Sequence, residues 1–205
     1  MRTIDPTRGD RILESAGRLF HKRHYHEVRM EDVAADAGVA KGTLYRYFQD
    51  KEALYLALIV SSMNRFVADV APLMAEPEPA DQRLRAYIRR VFDFSERFPY
   101  FQDLVQRVEG TTCPERLAPL QYARQRVFHL IADVMSDLGR CDGYHVPDAF
   151  LAAIALTGML RQILRFLPKP WPDDLPERIA EHFLHGVHPI EAPVASRATP
   201  AIGRN

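Results

Sequence analysis

The 205-residue chain has no excess charge of either sign, with 27 Lys and Arg against 27 Asp and Glu, so no acidic tail, basic arm or general disorder dominates it. Cysteine is scarce: Cys113 and Cys141 are the only two, and without CxxC spacing they support neither a disulfide framework nor a zinc ribbon. The most apolar run, 149–160, ends at Arg161, short of the roughly 20 residues that cross a bilayer. The first residues, MRTIDP, lack the apolar core of a secretory signal. The expectation is a cytoplasmic protein with no membrane partner. Enzyme signatures are missing too: the sequence has no GxSxG, GxxxxGK[ST] or helix-opening GxGxxG, and no HExxH. His21, His24 and His26, and later His182, His185 and His188, read as solvent-facing side chains. No catalytic residue, metal or cofactor is expected.

Hydrophobic residues make up 47% of the chain and recur at helical spacing almost throughout, with no sustained alternation of period two. The fold class is all-α. Proline and glycine clusters at 72–79, 99, 110–114, 139–147 and 168–176 break the pattern. Nine helical segments result: 8–23, with Thr7 as N-cap, then 30–37 and 41–47, one that starts after Asp50, and 80–97, 99–110, 115–139, 147–167 and 176–187. The tail 188–205 holds three prolines and few large apolar residues, and is expected to be disordered.

The informative stretch is 30–48, MEDVAADAGVAKGTLYRYF. Two short helices that cross steeply need a small residue at their contact, and Ala34 supplies it. Their turn needs a left-handed residue, and Gly38 takes that conformation without a Cβ penalty. Val33, Ala37, Val39 and Leu44 fall where the shared core would sit. This is the pattern of a helix-turn-helix, whose second helix enters the DNA major groove. Lys41, Gly42, Thr43, Tyr45, Arg46 and Tyr47 then lie on the exposed part of that helix. Lys41 can donate to guanine, Gly42 lets the backbone come close, and the hydroxyls of Thr43 and Tyr45 reach phosphates or bases. Residues 37–49 carry Lys41 and Arg46 and no acid, so positive charge sits where contact would occur.

With Ile12-Leu13, Leu19-Phe20, Tyr25, Val33-Ala34, Ala37-Gly38-Val39, the run from Gly42 to Phe48, and Lys51-Glu52-Ala53-Leu54, the first quarter of the chain resembles the TetR family of bacterial transcription regulators. The resemblance implies a nine-helix homodimer, most often a repressor released from operator DNA by a small-molecule effector. Residues 1–50 would bind DNA, and 51–187 would bind the effector and dimerise. It makes Lys41 and Gly42 base-facing, Thr43 and Arg46 phosphate contacts, and Tyr45 and Tyr47 contacts to backbone or bases, with Lys51 gripping a phosphate at the start of the fourth helix. Three positions depart from the family pattern. His24 stands where glycine is usual, and histidine tolerates left-handed backbone better than most residues. Val28-Arg29 replaces a pair of threonines, leaving Arg29 to meet phosphate by charge. Ala40 replaces a hydroxyl cap.

In the body, Phe66, Tyr87, Phe92, Phe101, Phe128, His129 and Met159 are candidates to line an effector cavity. Ala152, Ala155 and Gly158, with Ile179, Phe183 and Leu184, are candidates for a symmetric dimer interface, because two recognition helices must be held about 34–36 Å apart to read paired half-sites. The rival expectation is a helical ligand-binding or protein-binding module that no longer reads DNA.

Overall fold

The computed structural model describes residues 6–99, 101, 105, 114–141 and 143–186. Cys113 and the expected disordered tail 188–205 lie outside the described residues, as does the expected 99–110 helix except for Pro99, which is in a turn, and the helical Phe101 and Val105. Eight α-helices are described: α1 (Pro6–Lys22), α2 (Met30–Asp36), α3 (Lys41–Tyr47), α4 (Lys51–Ala75), α5 (Ala80–Arg97), α6 (Pro114–Cys141), α7 (Ala149–Phe166) and α8 (Leu175–His185). A single 3-10 turn, Tyr25–Glu27, links α1 to α2, and there is no strand among the described residues.

Each helix has an identifiable local cause. In α1, Ile12, Ala16 and Phe20 recur at four-residue spacing and all three are buried. The helix is already formed at Pro6, so Thr7 lies inside its first turn and is not the cap. A proline costs little there, because the N–H it lacks has no intrahelical partner. The Asp50 carboxylate caps α4 by accepting from the Ala53 N–H at 2.6 Å, and Asp148 caps α7 by accepting from Leu151 at 2.9 Å. The break expected from Pro72 onward begins only after Ala75. Proline removes one helical hydrogen bond, but Val70 and Met74 on either side of it are buried, and the Arg83 guanidinium donates to the Met74 carbonyl at 2.8 Å. Packing and this outside donor hold the turn.

Buried side chains fall into two clusters that meet along α4. The first joins α1, α2, α3 and the start of α4 through Ile12, Val33, Leu44, Leu54 and Ile59, and includes Phe101, Val105 and Leu120. The second joins the rest of α4 to α5, α6, α7 and α8 through Val70, Leu84, Ile88, Ile131, Leu156 and Ile179. At 25 residues, α4 spans about 37 Å and serves both. Ion pairs add register around α5: Arg83 with Asp137 of α6 at 2.8 Å, Arg85 with Glu181 of α8 at 2.6 Å, and Arg89 with Glu177 of α8. By length and composition alone α4 and α7 could each cross a bilayer. Half of the tested α4 window is packed inside the protein, but only 17% of the α7 window is.

Candidate nucleic-acid interface and internal cavity

The turn between α2 and α3 is closed by backbone bonds of the Schellman type. Gly38 N–H donates to Ala35 at 3.2 Å and Val39 N–H to Ala34 at 2.9 Å, with Gly38 at φ +65°. Ala34, Val33, Ala37 and Leu44 are buried beneath it, as their spacing predicts. From α1, Arg11 donates to the Ala37 carbonyl at 2.9 Å, placing a cation at the C-terminal end of α2. The Ser15 hydroxyl lies between the Val33 carbonyl, at 3.2 Å, and the Asp36 carboxylate, which Arg18 meets at 2.7 Å. Together Ser15 and Arg18 hold the Asp36 carboxyl below its usual range. These three α1 side chains fix the tilt of α2, and no residue near them in the chain marks them for that role.

The departures at the helix starts are resolved differently. His24 has φ −63° and ψ 153°, so it is extended and makes no use of left-handed backbone; its N–H donates to Glu27 at 2.9 Å. Arg29 brings no acceptor to α2, but its own N–H donates to the Asp32 carboxylate at 3.1 Å, half of a capping box. Its side chain stays exposed. Ala40 precedes α3 with no side-chain cap, and in the first turn the Thr43 N–H donates to the Ala40 carbonyl at 2.8 Å instead.

On α3 the expected residues separate into two groups. Lys41, Gly42, Tyr45 and Arg46 face outward and Thr43 is half-buried, while Leu44 is wholly buried. Lys41 Nζ pairs with Glu31 of α2 at 2.6 Å, which raises the lysine pKa and lowers that of the glutamate. It also lies 5.8 Å from the centre of the Tyr45 ring. A Cβ on Gly42 would meet nothing within 4 Å. Tyr47, by contrast, packs against the first core, its ring 3.5 Å from where a Cβ on Gly9 would stand, and Arg46 lies 5.9 Å from its face. Lys51 is also used within the protein: its ammonium donates to the Tyr25 carbonyl and sits 4.1 Å from the Tyr25 ring centre. It fastens the start of α4 to the 3-10 turn.

Residues 12–58 match the family model for bacterial regulatory proteins of the tetR family. Over 155 residues the chain is 30% identical to the HTH-type transcriptional activator FasR of Mycolicibacterium smegmatis, covering 76% of this chain and 69% of that protein. The chain belongs to the TetR family. The fatty acid metabolism regulator protein of Bacillus subtilis is 30% identical over 81 residues, covering 40% of this chain and 42% of that one. Among solved structures, FadR from Bacillus subtilis in complex with stearoyl-CoA superposes with TM-score 0.75 at 19% identity, over 87% of this chain and 98% of FadR. PfmR from Thermus thermophilus superposes with TM-score 0.73 at 20% identity, over 87% and 99% of the two chains. At those identities the structural matches establish the fold.

The body of this TetR-family protein holds a cavity of about 230 Å³, open on one side, among α4, α5, α6 and α7 and beside Phe101 and Val105. Of the expected lining residues, Phe66, Tyr87, Phe101 and Phe128 are there, joined by Met63, Val91, Phe94, Ser95, Thr157 and Leu160. Arg124 and Arg161 also line it, and no acid does so among the described residues. Three expected residues sit elsewhere. Phe92 is buried edge-on against Trp171 at 5.1 Å between ring centres. His129 lies on the outer side of α6 against Phe150 at 5.6 Å, and Met159 packs on the second core without lining the cavity. Burial pushes the Tyr87 phenol pKa far up; its hydrogen bond with Thr157 offsets part of the rise. Thr157 gives its own proton to the Ala153 carbonyl at 2.8 Å.

The expected dimer residues also divide. Ala155 and Gly158 are exposed on α7, in one row with Leu151, which was not among the expected residues, and flanked by exposed Phe150 and Ile154; a Cβ on Gly158 would meet nothing within 4 Å. Ala152, Phe183 and Leu184 are partly covered by their own chain. Ile179 is 6% exposed, because α8 turns it inward onto α5, so it has no surface to give to a partner.

Proposed function

We propose that this regulator acts as a homodimer that reads a two-fold symmetric operator with α3 and releases it when a small molecule occupies the cavity. The observation that carries the DNA reading is the outer face of α3. It presents Lys41, Tyr45 and Arg46 with no acid on the same helix, and next to them a glycine for which the protein itself has no steric need. Lys41 and Tyr45 supply base contacts, and Arg29, Thr43 and Arg46 supply phosphate contacts. Selection from random DNA followed by footprinting tests the reading. Half-sites whose centres lie about 34–36 Å apart, protected by the protein, are the expected result; no enrichment and no protection would end it.

The exposed row on α7 supports a second copy as its occupant. A helix glycine with open space around it suits close approach of a partner helix, and Phe150, Leu151 and Ile154 give the contact its apolar area. Leu151→Glu is expected to sediment as a monomer and to lose operator binding with it.

For coupling, α6 carries cavity residues Arg124, Val127 and Phe128, and near its start Arg116, whose guanidinium lies 3.4 Å from Asp50 and 3.1 Å from Glu52. Asp50 caps α4 directly after the recognition helix. A ligand that moves α6 would therefore shift α3 by its different affinity for the two arrangements. Where the operator overlaps a promoter, release gives derepression, the outcome expected from sequence. FasR is named an activator, and a transcription assay with operator and ligand together fixes the sign here.

A further inference from the structure

Of the acids on α2, Asp32 and Asp36 serve the fold. The Asp32 carboxylate accepts from the Arg29 N–H at the start of the helix and pairs with Arg23 at 3.5 Å, and the Asp36 carboxylate ties α2 to Arg18 of α1 at 2.7 Å. Glu31 does neither. Its carboxylate reaches forward to α3, where the Lys41 ammonium donates to it at 2.6 Å, and the two side chains stay 50% and 62% exposed. A pair so open to solvent adds little to stability. Lys41 opens α3 and lies 5.8 Å from the Tyr45 ring centre, so the carboxylate it holds borders the face proposed to meet DNA. A negative charge there repels phosphate and weakens binding to every sequence unless a donor on the DNA meets it.

Lys41, the backbone amide of Glu31 and, less strongly, Arg29 hold the Glu31 carboxyl below its usual range. It stays ionised at neutral pH and acts only as an acceptor. An ammonium can donate more than one hydrogen bond and a carboxylate can accept several, so the ion pair leaves capacity on both partners. In the major groove, guanine offers O6 and N7 as acceptors and cytosine offers its N4 amino group as a donor. Within one C·G pair that amino group is bonded to O6, which sets the two edge atoms about 2.9 Å apart. The protein atoms that complement them are 2.6 Å apart. Ammonium against O6 and N7, with carboxylate against N4, matches the edge of the base pair head to tail. An A·T pair fits less well, because thymine sets its methyl group beside the acceptor the ammonium would need.

We infer that Glu31 and Lys41 together read one C·G base pair in each half-site, Lys41 donating to the guanine and Glu31 accepting from the cytosine amino group, and that Glu31 is the specificity-determining member. This rests on the reading of α3 as the helix that enters the groove. A base pair that turns an acceptor toward Glu31 sets it against a carboxylate with no proton between them. A wrong sequence is then rejected by repulsion as well as by the missing contact. Lys41 alone has no such means of rejection, since an ammonium is a compact point charge on a flexible stem and accepts any phosphate or base acceptor within reach. Glu31 restrains that stem at the groove edge and supplies the half of the pattern that lysine lacks.

The test uses the full-length protein and the operator obtained by selection from random DNA. Each cytosine of a half-site is replaced in turn by N4-methylcytosine, which still pairs with guanine but turns a methyl group to the groove in place of the N–H. Each guanine is replaced in turn by 7-deazaguanine, which lacks the N7 acceptor. Wild type is expected to lose about tenfold in affinity at one cytosine per half-site and at the guanine paired with it, within the range for one good base contact. Glu31→Ala should abolish the loss at that cytosine, and Glu31→Gln, whose amide oxygen still accepts, should keep it. Lys41→Ala should abolish the loss at the guanine. Thermal unfolding of each variant checks that the fold is intact, and the wild-type scan needs no variant. Indifference of the wild type to every N4-methylcytosine would overturn the inference, as would a loss that persists in Glu31→Ala, or a sensitive cytosine and guanine that belong to different base pairs. Selection that enriches no sequence ends the DNA reading and this inference with it, whereas an enriched operator with any of those three results ends this inference alone.

Discussion

Gly42 allows the proposed DNA face to be separated from the requirements of folding. Glycine in a helix costs stability relative to alanine, and here nothing inside the protein asks for it: a Cβ would meet no atom within 4 Å. Because the residue is second in α3, Gly42→Ala is expected to stabilise the chain by about 0.5 kcal/mol. For a protein of this size that raises the melting temperature by about 1–2 °C. The same methyl group would stand between the α3 backbone and the groove. Operator affinity should therefore fall by about 1–3 kcal/mol per half-site, the range for one disturbed base-pair position. Gly38→Ala is the control with the opposite cause. Its φ of +65° is left-handed backbone, so alanine there costs about 1–2 kcal/mol of stability. Urea unfolding and binding to the selected operator measure both quantities. A Gly42→Ala protein that binds operator as tightly as wild type would refute the placement of this face on DNA.

Three further outcomes are expected. Glu31→Gln frees Lys41 from its 2.6 Å ion pair; since exposed pairs are weak, operator affinity should rise only a few-fold, and an unchanged or weaker affinity would count against Lys41 as a base contact. Arg116→Ala should leave ligand-free operator binding nearly intact but shrink the ligand-induced release, because its contacts to Asp50 and Glu52 link α6 to α4; full release would remove it from the coupling. Arg83 and Arg140 hold the Asp137 carboxyl below its usual range, so the pair's contribution should be complete above about pH 4, the ordinary aspartate value, and be lost as pH falls through the lower folded value. The urea midpoint difference between wild type and Asp137→Asn should thus close on acidification, and a difference that persists at the lowest accessible pH would rule the pair out as its source.

The helix-turn-helix was legible because its requirements are local. Gly38, Ala34 and Leu44 are each demanded by backbone geometry or by a contact a few residues away, so residue type and spacing suffice. Arg11, Ser15 and Arg18 act across 18 to 26 residues, and nothing near them in the chain distinguishes them from a solvated helix face. The internal contact of Lys51 is hidden for the same reason. A lysine opening a helix beside a DNA-binding unit reads as a phosphate hook, whereas Tyr25, far back in sequence, supplies both the carbonyl and the ring that receive it. In α4, Pro72 reads as a stop, since the side chains that hold the helix past it come from the body it packs against.

The cavity follows the same division between local and distant causes. Aromatic content marks α4, α5 and α6 as able to line a pocket, but which rings do so depends on how the helices are rotated against one another. Phe92 and Phe94 are two residues apart on α5, and a step of about 100° per residue sends one to Trp171 and the other to the cavity. Ser95 is overlooked in a search for aromatics. Its signal is a small polar residue one position after a wall residue, which has meaning only once Phe94 is known to face inward. The recognition helix can therefore be assigned from sequence pattern, while the make-up of the cavity wall emerges only from how α4, α5, α6 and α7 are rotated against one another.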